Sequence, residues 1–195
     1  MRIAPLAVTE EAQRLLRATR ADFGRLPSLP SMGRITSTSA HLGSYDFEQV
    51  RAQSEFLRLV SIIEAYVDSI SDHQFDLQSI GRDQFAQSLI SVARREVADS
   101  WQNREAAFKD HHGFSLGQCS KWSDIKAARD VRNAIAHGLG KLTAKQRNIK
   151  TRGTITAAGV LLRGDAIVLS RKSLERCVDS GVRFINDVDS RLLVR

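Results

Sequence analysis

The sequence predicts a mainly α protein: an antiparallel helical bundle of four to five helices with a small β-hairpin before the last helix. Apolar residues recur at three- and four-residue intervals along most of the chain, as expected for helices with one buried face. Only three prolines interrupt a chain rich in alanine, leucine, arginine, glutamate and glutamine, all strong helix formers. β-leaning residues gather between Thr154 and Leu169, around an Arg163-Gly164-Asp165 turn.

A first helix is expected from Thr9, whose hydroxyl can cap it, with Glu10 and Glu11 in the opening turn suited to the helix dipole. Ala12, Leu15, Leu16 and Phe23 give it a narrow apolar stripe. From Gly24 to Gly43 the pattern breaks, and Leu26-Pro27-Ser28-Leu29-Pro30-Ser31 and Ser37-Thr38-Ser39 read as a linker. Residues 1–45 are therefore expected to form an N-terminal helical arm and linker, packed on the bundle or on a partner subunit. Residues 46–195 form the bundle domain.

Within it, a second helix starts near Asp46 with Gln49 in capping-box position, and buries Val50, Leu57, Val60, Ile63, Val67 and Ile70. Asp72 to Gly81 reads as a polar break. A third helix places Phe85, Leu89, Val92, Ala93, Val97 and Trp101 on one face, leaving Arg94, Arg95 and Arg104 as solvated charges. His111, His112 and Cys119 match no metal-ligand spacing and read as part of a solvated turn, so no metal or other cofactor is expected. A fourth helix runs from about Lys121 with Trp122, Ile125, Ala128, Val131 and Ile135 inward, and Gly138 and Gly140 stop it. After the hairpin, Ser170 caps a last helix with Leu174, Cys177, Val178, Gly181, Ile185, Val188 and Leu192 on its inner face.

At 195 residues the chain suffices for one core with an extension. Its 29 basic against 22 acidic residues, a formal +7, favour phosphate-bearing partners. Two cysteines make no disulfide framework, no apolar core near the start suits a signal peptide, and no run approaches the roughly 20 apolar residues of a membrane span. The expectation is a soluble, cytoplasmic protein with no membrane partner.

One stretch stands apart: Asp130-Val131-Arg132-Asn133-Ala134-Ile135-Ala136-His137-Gly138. Arginine keeps its charge at any physiological pH, and histidine exchanges a proton near neutrality, a pair suited to phosphodiester chemistry. Seen alone, Arg132 can equally pair with Glu64 or Asp130, and His137 can cap the last carbonyls of its helix. Glu64, at the border of the second helix's buried face, reads either as a solvated or arginine-paired carboxylate or as a group orienting Arg132 or His137 from across the bundle. The basic run Lys141, Lys145, Arg147, Lys150 and Arg152 is either a solvated loop or the rim of an anion-binding cleft.

The arginine, four intervening residues and histidine, with a polar residue after the arginine, resemble the signature of the HEPN superfamily of helical bundles. The likeness extends to the preceding helix Phe56–Tyr66 and to the approach through Trp122, over roughly residues 46 to 190, and looks closest to two branches, the RiboL-PSP branch among them. The resemblance implies a metal-independent endoribonuclease in which His137 takes the proton of a ribose 2′-hydroxyl, Arg132 holds the scissile phosphate and Asn133 orients the phosphate or the histidine. It implies a 2′,3′-cyclic phosphate product and the role of a toxin or antiviral-defence effector, with an antitoxin or other neutralising protein as partner. Lys141, Lys145, Arg147 and Lys150 are the expected RNA-binding rim.

Five residues at 100° each place Arg132 and His137 about 140° apart on an ideal helix. The resemblance answers this with a homodimer whose composite active site draws on both chains. A second function stays open at this stage: a non-catalytic helical module that binds RNA, nucleotide or a partner protein through its basic rim.

Overall fold

The longest element, α2 (Phe47–Ser79), spans 33 residues, and most of the other helices lean on it. It is seen in a computed structural model that describes residues 6–25, 35–36 and 44–193. Asp46 caps it by accepting a hydrogen bond from the Gln49 amide. Ala52, Phe56, Leu59, Val60, Ile63, Tyr66, Val67 and Ile70 recur at helical spacing and are buried. The break expected from Asp72 does not occur. Phe75 is buried in a second apolar cluster with Val97 and Ala107, and Asp72 and Asp76 are each bonded by Arg94 at 2.7 Å, so the polar stretch stays helical.

Against α2 pack α1 (Ala7–Arg25), α5 (Trp122–Gly138) and α7 (Arg171–Leu193), closing one main core. α7 comes close because Gly181 has no side chain; an added Cβ would lie 2.9 Å from Ile63 Cδ1 and 3.2 Å from Leu16 Cδ1. The first helix is part of this bundle. It begins at Ala7, before Thr9, so Thr9 is not its cap. The Thr9 hydroxyl is instead buried and donates to Asp189 Oδ1 at 2.6 Å, an acceptor shared with the Leu6 amide at 3.2 Å. Tyr66 completes the junction by donating to the Ile185 carbonyl at 3.2 Å. Most of the expected linker, including Leu26–Ser31 and Ser37–Ser39, lies outside the described residues. Two short strands, β1 (Ile35–Thr36) and β2 (Ser44–Tyr45), pair antiparallel within that region.

The third helix of the sequence reading is two: α3 (Gln84–Val97), capped by Asp83, and α4 (Trp101–Asp110), capped by Ser100. The extended backbone of Ser100, at φ −156°, divides them. The face assigned to the core of that helix is split as well. Val97 and Trp101 are buried, but Phe85, Leu89 and Val92 are exposed. Arg104, expected in solvent, is buried and makes bidentate bonds to Asp68 at 2.7 and 2.8 Å. His112 is likewise buried, with Nε2 2.8 Å from Ser71 Oγ and its ring edge-on to Phe75 and Phe108.

Beyond α5, the segment read as β-leaning forms α6 (Ile149–Ala157), capped by Asn148. Ile155 is buried, and the hydroxyls of Thr154 and Thr156 return to the carbonyls of Lys150 and Arg152, satisfying β-branched residues inside a helix. The hairpin stands where expected: β3 (Leu161–Arg163) pairs with β4 (Ala166–Val168) through a Gly164-Asp165 turn. Ser170 Oγ accepts from the Ser173 amide at the start of α7. Among the described residues the fold is thus mainly helical, with seven α-helices and a small antiparallel hairpin before the last of them. Among the described residues no helix is long and apolar enough to cross a membrane.

Burial pushes the His112 imidazole from an ordinary value near 6.5 down to about 4. The unfolded chain therefore binds a proton at a higher pH than the native chain does. Stability from keeping His112 neutral is complete above pH 6.5 and is lost as the pH falls towards 4, by up to about 3 kcal/mol. Thermal denaturation between pH 7 and 4 is expected to show this decline, and His112→Gln to flatten it; an equal slope in both proteins would rule out His112 as its source.

Candidate functional site

The Arg132–His137 motif forms the last turns of α5. Trp122 anchors the start of this helix against Trp101 and Phe184, with ring centroids 5.6 and 5.7 Å away. Ala127, Ala128, Val131, Ala134 and Ile135 are buried along it. The helix remains regular through Gly138, so the first left-handed residue is Leu139 at φ 50°, followed by Gly140 at φ 80°. Both amides return to the Ala134 carbonyl, Gly140's at 3.3 Å. Gly140 has a second reason to be glycine, since a Cβ there would overlap the Gln53 side-chain amide on α2.

The hairpin, for which the sequence offered no role, holds the exit from the motif. The Gly140 carbonyl accepts from the Ile167 amide at 2.7 Å, Lys141 forms a bridge to Ala166, and the Leu142 amide donates to Asp165 at 2.8 Å. The following loop is tied back to α5, with Gln146 Nε2 donating to the Asp130 carbonyl at 2.6 Å.

Arg132 is half-buried and its Nη1 donates to Asn133 Oδ1 at 3.2 Å. Among the described residues it forms no ion pair, so neither Asp130 nor Glu64 neutralises it. The Asp130 carboxyl lies close by in sequence and is raised above its usual range by burial, partly offset by Arg129 and Lys126. His137 is exposed on the last turn. Because α5 is unbroken, Arg132 and His137 project about 140° apart, with a rise of about 7.5 Å between them. Asn133 stands between: it bonds Arg132, and it precedes His137 by four residues on nearly the same face.

Glu64 is not part of this group. Its Oε1 accepts from the Trp101 indole at 2.8 Å, which places it near the start of α5. It lies about 16 Å along α2 from Gln53, the residue that touches Gly140. It therefore holds the Trp101–Trp122 packing, and the idea that it orients Arg132 or His137 is set aside.

The basic rim is uneven. Lys145 and Lys150 are exposed, and Lys141 is half-buried along the hairpin edge. Arg147 is engaged, with Nε 3.2 Å from Asp165 Oδ2 and 3.3 Å from the Leu142 carbonyl, while Arg152 takes the other Asp165 oxygen at 2.7 Å. One cation was missed: Arg163, read only as a turn residue, is exposed on β3. Its strand pairs it with Ala166, the residue that bridges to Lys141. With Asp46, Gln49, Gln53 and Lys141 it lines a cleft of about 370 Å³ between the start of α2 and the hairpin. Arg132 and His137 do not line that cleft. Among the described residues no cluster of three or more His, Cys, Asp or Glu side chains is placed to hold a metal ion.

Gly140→Ala should destabilise the protein by about 1–3 kcal/mol, since it meets both a left-handed backbone and the Gln53 amide. Gly153→Ala, in the exposed helix α6 with open space around it, should stabilise by about 0.5–1 kcal/mol. Thermal melts of the two variants check the contrast, and a tolerated Gly140→Ala would show that the motif exit can relax. Comparison with known proteins found no matching family model, curated protein or solved structure.

Proposed function

We propose that this chain is a metal-independent endoribonuclease with Arg132, Asn133 and His137 as its working groups. One observation carries the reading: Arg132 is a half-buried guanidinium whose described partner is the neutral Asn133 amide and not a carboxylate. A structural arginine at that depth is normally paired, whereas one that awaits a phosphate is not. His137, exposed two residues before the left-handed Leu139, is accessible to a strand lying across the helix end.

In this mechanism His137 removes the proton from a ribose 2′-hydroxyl, and the 2′-oxygen attacks the adjacent phosphorus. The P–O5′ bond breaks, the departing 5′-oxygen takes up a proton, and the products are a 2′,3′-cyclic phosphate and a 5′-hydroxyl end. Arg132 offsets the charge that grows on the phosphoryl oxygens. Asn133 keeps the guanidinium turned toward the side of the helix that His137 occupies. The 140° separation is bridged by a two-fold homodimer in which one chain's Arg132 serves the other's His137. The role of a toxin or defence effector, held in check by a neutralising protein, belongs to the same reading.

Purified protein should cleave RNA in the presence of EDTA, and Arg132→Ala and His137→Ala should each lose at least about 100-fold in rate. If the site is shared between chains, mixing the two inactive variants should restore about a quarter of wild-type activity, because half of the particles are mixed and each has one intact site. Absence of cleavage on any RNA by the wild type would sink the enzyme. Lys145→Ala and Lys150→Ala should weaken RNA binding and lower the salt dependence by about 0.7 per lost phosphate contact, with Arg147→Ala doing less because Asp165 already holds it. An unchanged salt slope would remove the rim from the interface.

The separation of Arg132 from His137 on one chain also favours a second reading, a non-catalytic helical module that binds RNA or a partner protein through the same rim. Binding without cleavage, unaffected by His137→Ala, would select it.

A further inference from the structure

Beside the motif exit lies a cleft that the proposed mechanism does not use, the one of about 370 Å³ between the start of α2 and the hairpin. Its volume falls within the range of small-ligand sites. One face of the hairpin forms its floor. Residues opposite each other on paired strands share a face, as do alternate residues along one strand. Arg163, Ala166 and Val168 therefore stand together, while the intervening Ile167 is buried. The left-handed turn at Leu139 and Gly140 closes the side nearest the motif.

Two glutamines one helical turn apart line the α2 wall, and they differ in what they do. The Gln49 amide is spent: Nε2 donates to the Leu169 carbonyl at 3.0 Å, and Oε1 accepts from the Leu169 amide at 2.9 Å. The Gln53 amide lies against Gly140, where a side chain would otherwise stand, and has no hydrogen-bond partner among the described residues. A half-buried amide left open on the wall of a cleft presents donors and an acceptor side by side. That pattern pairs with the N7 and the N6 amino group of an adenine.

Charge orders the cleft along its length. Asp46, whose Oδ1 caps α2, lies about 10 Å from Gln53 along the helix and keeps phosphate away from that end. Arg163 and Lys141 lie at the other end, joined through Ala166, which pairs with Arg163 and bridges to Lys141. Cations, apolar floor and open amide thus offer places for the phosphate, the face and the edge of one nucleotide. His137 precedes Leu139 by two residues, at most ~7 Å along the chain, so the cleft is within reach of the nucleotide next to the one at the histidine.

We infer that this cleft holds an adenine nucleotide of single-stranded RNA beside the scissile bond, with Arg163 on its phosphate and Gln53 on its base edge. The RNA strand rests on the ribonuclease reading; the nucleotide rests on the cleft itself.

A short fluorescent 2′-O-methyl oligoadenylate, which has no free 2′-hydroxyl and so cannot be cleaved by this mechanism, tests the site by anisotropy with the whole protein. Arg163→Ala should weaken its binding about tenfold, and the matching oligouridylate should bind about tenfold more weakly than the oligoadenylate. Gln53→Met keeps the length of the side chain without its amide, and should erase the preference for adenine at unchanged melting temperature. No binding of the oligoadenylate, or equal binding by wild type and Arg163→Ala, would overturn the site. A preference for adenine that is absent, or that survives Gln53→Met, would overturn the role of the amide. Adenosine monophosphate binding more tightly than the oligoadenylate would overturn the RNA and make the cleft a site for free nucleotide. Cleavage of unmodified RNA reports separately. A wild type that binds the oligoadenylate but cuts no RNA would lose the ribonuclease and keep the subsite, whereas cleavage indifferent to both variants would remove the subsite alone.

Discussion

The buried face of α2 is the constraint on which the other elements depend. It presents apolar side chains from Ala52 to Phe75 without a gap, longer than any single partner helix can cover. α1, α5 and α7 cover its first two thirds, and α3 and α4 the remainder. Close approach is enforced by Gly181 on α7, and orientation is set by polar groups that have one place to go. Asp189 is such a group. A buried carboxylate is costly without partners, and the Thr9 hydroxyl and Leu6 amide supply them, which locks α1 to α7 at one depth.

The same logic sorts the arginines. Arg20 pairs with Glu175, Arg94 with Asp72 and Asp76, Arg104 with Asp68, and Arg147 and Arg152 with Asp165. These pairs tie helix to helix or loop to hairpin. Around the end of α5, by contrast, Arg132, Lys145, Lys150 and Arg163 carry no carboxylate partner among the described residues. A formal charge of +7 is therefore not spread evenly, and part of it gathers where the chain leaves its most unusual motif. That distribution, more than the total, is what recommends a phosphate-bearing ligand.

Much of this architecture was legible in the residues. Asp46, Ser170 and the Gly164-Asp165 turn did what their chemistry dictates, and the inner face of α7 is the one its periodicity marks. The errors have physical reasons. Thr9 looked like a cap because a hydroxyl near a helix start usually is one; only the distant Asp189 makes it a core residue. α2 outran its polar break because Arg94, eighteen residues beyond Asp76, neutralises it. Thr154 and Thr156 favour strand locally, but hydroxyl bonds back to the helix and burial of Ile155 outweigh that preference. Phe85, Leu89 and Val92 follow helical spacing faithfully, yet spacing cannot say whether the apolar side turns inward or to solvent. At the motif, the helical arithmetic for Arg132 and His137 stood, while Glu64 was claimed by an indole that no local pattern links to it.

The bond between Thr9 and Asp189 joins residues 180 positions apart. At roughly 5–20 residues per second, a ribosome needs about 10–40 s to pass from one to the other. Throughout that interval the first helix has no α7 to lie against, and the Gly181 side of Ile63 and Leu16 stays uncovered. The core therefore closes only once α7 has been made, later than a fold built from neighbouring hairpins would. Such an order of assembly also delays the final packing of α5, and with it of the Arg132–His137 motif, until α7 is in place.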